Sequence, residues 1–158
     1  MKRTLLALAL FAIGCARPTA NVGAAPEPLV GFGYSAPPEY LQWIGEVQNC
    51  VRQIALLDSV RAVETNTPRA FEIDHLIQDI HELRFFAIPT ERADGTFTCP
   101  QGFQCWGVAI APGDIYISAQ RSMDRVTVKH EVMHVIVASD GEASVPYHGV
   151  PWGLCEYN

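Results

Sequence analysis

Between Val126 and Val137 the chain carries Val126, Val128, Val132, Val135, Ile136 and Val137, and inside this apolar stretch lies His130-Glu131-Val132-Met133-His134. A segment apolar almost all round predicts a buried helix, because a solvated one would show a wide polar face. Ser122 or Asp124 can cap its start, and Asp140-Gly141 offers a stop in which Gly takes positive φ. At 3.6 residues per turn, positions i and i+4 share a face about 6 Å apart along the axis, so the Nε2 atoms of His130 and His134 can close on one Zn²⁺. The Glu131 carboxylate then projects beside the metal, where it can take a proton from an acidified water. The plain alternative is a helix whose two His sit one turn apart on a solvated strip.

The N-terminus sets the compartment. Met1-Lys2-Arg3 followed by Thr4 to Ile13 is a basic start and an apolar run, shorter than the about 20 residues of a membrane span, so residues 1–14 read as a secretory signal peptide. Its end, Ala12-Ile13-Gly14-Cys15, looks like the bacterial lipobox, with Ala12 where Leu is usual; cleavage before Cys15 leaves a thiol to be diacylated. Ordinary cleavage after Ala20 or Ala25 is the alternative. In either case the expected location is outside the cytoplasm, exported and lipid-anchored in the bacterial cell envelope if Cys15 is modified. Membrane contact is expected through that anchor only.

Residues 15–38, rich in Ala, Pro and Gly, read as a lipidated N-terminus and flexible tether. The rest, 39–158, suffices for one core and is expected to be one monomeric domain. Removing Lys2 and Arg3 from 11 Lys and Arg leaves 9 basic against 17 acidic groups, a formal charge of −8, which argues against nucleic acid as a partner. Beyond Cys15 four of the 5 cysteines remain, an even number in an oxidising compartment. Three pairings are possible. Cys99 with Cys105 and Cys50 with Cys155 is the expected one, since Pro100, Gly102 and the short separation suit a local loop. A four-cysteine zinc site lacks C-x-x-C spacing.

Along the domain, Pro37-Pro38-Glu39 opens a helix in which Leu41, Ile44, Val47 and Val51 recur at helical spacing, expected to run to about Val63. After the break at Thr67-Pro68, residues 71–82 suggest a short helix. A β-rich run over 83–88 is followed by a loop, 90–104, stapled by Cys99 and Cys105. Trp106 to Ala111 and Ile115 to Ser118 form a hairpin across Pro112-Gly113-Asp114 that leads into the His130–His134 helix. The expected fold class is therefore α+β: an N-terminal helix, a small mostly antiparallel sheet, the motif helix and a short C-terminal loop.

The H-E-x-x-H helix and its setting, over roughly residues 83 to 155, resemble the zincin metallopeptidases, and among them small bacterial exported proteins with a minimal domain whose motif lies near the C-terminus. The resemblance implies a zinc-dependent peptidase acting on peptide or protein substrates, with Zn²⁺ as cofactor and Glu131 as general base. It also implies an edge strand beside the metal that holds the substrate backbone extended. Trp106 to Ala111 is the candidate, its apolar run being equally consistent with a central strand. A catalytic zinc needs a third protein ligand. His148 is the first choice, in a loop stiffened by Pro146 and Pro151 and freed to turn at Gly149. Asp140 stands where metzincins place their third ligand, but Val137 replaces the Gly they need and no Met-turn follows. Glu142 could imitate the gluzincin carboxylate, which normally comes from a helix farther downstream. Tyr147, and less so Tyr116, could donate to an oxyanion; His75 and His81, at i and i+6, are given no role. The competing function is a non-enzymatic exported lipoprotein, a binding or scaffold module with a structural zinc site or none.

Overall fold

Tyr40, Ile44, Val47 and Val51 recur at steps of three and four, and they are the residues that the first helix, α1 (Pro38–Thr65), buries. The computed structural model describes residues 29–66, 73, 75–110, 112–137 and 152–157. Pro at the first position of α1 has no amide hydrogen to leave unpaired. At the other end Asn66 takes the left-handed conformation, φ 52°, and its N–H closes on Ala62 and Val63 carbonyls. Leu41, expected on the buried stripe, is largely exposed; Tyr40 takes that place and packs edge-on to Phe85.

Among the described residues there are six strands: β1 (Phe32–Tyr34), β2 (Arg84–Ile88), β3 (Phe97–Thr98), β4 (Gln104–Cys105), β5 (Gly107–Ile110) and β6 (Asp114–Ser118). Four form one sheet in the order β1-β2-β6-β5, with β1–β2 and β6–β5 antiparallel and β2–β6 parallel. The chain reaches β5 from β2 by a crossover that leaves room for β6 between them, and β3 pairs with β4 inside it. Alternation then sorts the two faces. Phe85, Ile115 and Ile117 point to the helices and join Val47, Val51, Val128, Val132 and Met133 in the main core. Ile88 with Val108 and Tyr116 packs on the other face against Phe97 and Cys99.

The motif helix α2 (Arg125–Ile136) lies against α1 and the sheet, and a single turn, α3 (Trp152–Cys155), follows. The expected α+β class with a mostly antiparallel sheet is the one observed. Two expectations need correction. Phe32–Tyr34, assigned to the tether, is a strand paired with β2 in the register Phe32 with Ala87, so the folded body begins before residue 39. In the described part of 71–82 there is no α-helix: Ile73 bridges Val137, and only Ile80–Glu82 make a 3-10 turn, capped by Asp79. Among the described residues no helix is long and apolar enough to cross a membrane.

Candidate metal centre

Asp124, one of the two caps expected, starts α2: its carboxylate accepts from Val126 N at 3.1 Å and from Thr127 Oγ1 at 3.1 Å. The helix ends at Ile136, before the stop expected at Asp140-Gly141, where Val137 turns extended and pairs with Ile73. Thr127, Val128, Lys129, Glu131, Val132, Met133 and Ile136 are buried, which leaves Arg125, Val126, His130, His134 and Val135 partly open, with Val126, His130 and His134 one turn apart along one strip. The two imidazoles thus share a face of a helix that is mostly inside the protein.

Their spacing is one that two ligands of a single ion could have. His130 Nε2 and His134 Nε2 are 3.2 Å apart, with ring planes at 72°. Two nitrogens bound tetrahedrally to zinc at about 2.0 to 2.1 Å stand about 3.3 Å from one another, so the spacing fits one ion without rearrangement. His130 Nδ1, on the far side of the ring, meets Glu156 Oε1 at 2.6 Å. A carboxylate there accepts a hydrogen bond from Nδ1–H, the tautomer that leaves the lone pair on Nε2, as metal ligation requires. Among the described residues no third His, Cys, Asp or Glu completes a metal-holding group. His148, Asp140 and Glu142, the three candidate third ligands, lie outside the described residues, as do Tyr147 and Cys15.

Glu131 points from the same helix toward the sheet and is buried, at 4 % exposure. Its carboxylate rests on β5: a Cβ placed on Gly107 would lie 2.5 Å from Glu131 Oε1. Only hydrogen at that position lets the acid come so close to the strand. β5 is at the edge of the sheet, so the alternative of a central strand for this segment is not the one realised. Gly107→Ala is therefore expected to fold and to keep the His pair. It should displace the Glu131 carboxylate by about 1 Å and lower any hydrolysis by about 100-fold, a test read from kcat alongside metal content. A full-rate alanine variant would mean that the close approach has no bearing on chemistry.

Two buried groups escaped the sequence. Lys129 has its side chain 1 % exposed, with Nζ 3.5 Å from Glu46 Oε2 on α1. Arg125 holds the same oxygen at 2.7 Å. Burial, and then the Arg125 charge, push the Lys129 ammonium below the ordinary lysine range, while Glu46 and Glu156 oppose that shift. Glu156 itself is 8 % exposed and follows Cys155, which is bonded to Cys50 across a Cα separation of 5.6 Å. Cys99 is bonded to Cys105, so both expected disulfides are present. A carboxylate beside a tail cysteine that must reach α1 was the one signal for Glu156. Tyr116 stacks on Phe86 on the sheet face away from α2 and is no oxyanion donor for this centre. His75 pairs with Glu82 at the surface, and His81 is exposed.

No family model, curated protein or solved structure matches this chain.

Proposed function

We propose that this domain is a zinc-dependent peptidase that hydrolyses peptide bonds in peptide or protein substrates. The observation that carries the reading is the convergence of His130 Nε2 and His134 Nε2 at 3.2 Å, one residue from a buried acid. Zinc, when bound, supplies the Lewis acidity that makes water nucleophilic at neutral pH and polarises a carbonyl. His130 and His134 would hold it through Nε2, with the third ligand expected from His148. Glu131, beside the pair, takes the proton of the attacking water and returns it to the leaving amine. Its burial against Gly107 keeps bulk water from competing for that proton.

The edge position of β5 supports the substrate part of the reading. An extended peptide can add to an edge strand through main-chain hydrogen bonds, which aligns its backbone with the Glu131 carboxylate resting on the same strand. The second reading, a non-enzymatic module without zinc, has one observation in its favour: 3.2 Å is also a N–H···N hydrogen-bond distance between two neutral imidazoles. Zinc content separates the two. The purified domain is expected to bind about one zinc per chain, and His130→Ala/His134→Ala to bind none and to lose hydrolysis of a casein-derived peptide mixture. A parent protein that takes up no zinc from a buffered supply would reject the peptidase.

A further inference from the structure

We infer that Glu156 is a positioning residue for the His130–His134 pair, delivered to it by the Cys50–Cys155 disulfide, and that it sets how tightly His130 holds a metal. The inference rests on the zinc reading above and adds to it the residue that prepares the ligand.

An imidazole offers a metal whichever nitrogen lacks a proton, and that choice is fixed by the hydrogen bond made by the other nitrogen. At His130 the bond is Nδ1 to Glu156 Oε1, 2.6 Å, a charge-assisted length. Nδ1 therefore carries the proton, and Nε2 presents its lone pair toward His134 Nε2. The same bond stops the ring from rotating about its χ2 axis, so that Nε2 keeps facing His134.

Glu156 is held for this task by more than its partner. It directly follows Cys155, which is fully buried and bonded to Cys50 near the middle of α1. The buried Lys129, one residue before His130, is a cation whose charged form Glu156 helps to sustain. A carboxylate at 8 % exposure needs such compensation, since burying an isolated anion is costly. Three elements thus meet near one side chain: α1 through the disulfide, α2 through His130, and α3, whose last residue Cys155 directly precedes Glu156. A contact that served only to fasten the tail would not need the nitrogen remote from His134 as its target.

The test uses the parent, Glu156→Gln and Glu156→Ala, without metal and with zinc. Nitrogen-15 shifts of the metal-free proteins at about pH 8.5, above the ordinary imidazole range, report which His130 nitrogen is protonated. Zinc affinity is measured by competition with a chelator. The parent should show His130 protonated at Nδ1. Glu156→Ala should lose that preference and bind zinc about 10- to 100-fold more weakly, while Glu156→Gln, which keeps an acceptor without the charge, should retain the tautomer and fall between. A folded Glu156→Ala protein with the parental tautomer and a zinc affinity within about twofold of the parent's overturns the inference. If the alanine variant does not fold, the isosteric Gln variant decides, and an affinity equal to the parent's overturns it. A parent that binds no zinc overturns the zinc reading and this inference together, and that failure is visible in the parent alone.

Discussion

Glu131→Gln is expected to lower peptide hydrolysis by about 1,000-fold or more while zinc content and folding stay as in the parent. The amide has the volume of the acid, so the space between α2 and Gly107 receives it without a clash that the carboxylate did not already meet. What changes is the proton chemistry. A Gln side chain cannot accept a proton from water at neutral pH, so neither activation of the nucleophile nor protonation of the leaving amine proceeds through it. His130 and His134 are untouched, and their Nε2 atoms remain at ligand spacing. Metal analysis, an unfolding curve and initial rates on one preparation separate the three effects. Equal rates for parent and variant would sink the assignment of Glu131 as general base, and a variant that lost its zinc would make Glu131 a ligand instead.

Much of the site was legible because it is local. The His130–His134 spacing, the cap at Asp124 and the hairpin leading into α2 are each set by residues within a few positions of one another, where helix and strand periods act directly. The disulfides were legible because four cysteines in one small domain leave few pairings. What could not be read is what depends on pairing across the chain. Phe32–Tyr34 lies among Gly and Pro, where the alternation of Val30, Phe32 and Tyr34 with Gly31 and Gly33 is short, and it becomes a strand because β2 offers it an edge. Lys129 in an apolar helix suggests a side chain that escapes to solvent, yet the side chain is buried and meets the partly exposed Glu46, 83 positions away. Glu156 is 26 positions from His130, with no period or motif to connect them. The edge position of β5 likewise follows from a parallel β2–β6 pairing that no hairpin pattern announces. The motif marks the two imidazoles proposed as ligands; the long-range contacts decide how they are held.

The disulfide carries the second large effect. Cys50→Ser/Cys155→Ser is expected to destabilise the domain by about 2 to 5 kcal/mol, because the bridge closes a loop that the chain-entropy model values at about 4.7 kcal/mol for this length class. Its sequence separation is 105, against 6 for Cys99–Cys105. The corresponding double serine variant of the short bridge should cost about half as much by the same model. For a domain of this size the long-bridge variant should melt roughly 10 to 20 °C lower, read by calorimetry or circular dichroism. The physical reason extends beyond entropy. Cys155 is fully buried against α1, so its release also frees the residues of α3 from the groove that α1 and α2 form, and Glu156 with them. Zinc affinity should then fall to about the level of Glu156→Ala, and combining the two changes should produce little further loss, since both remove one interaction at His130. Additive losses would mean that the bridge and the carboxylate act on the centre by separate routes. An unchanged melting temperature would mean that the tail is secured by its packing against α1 and α2 rather than by the covalent link.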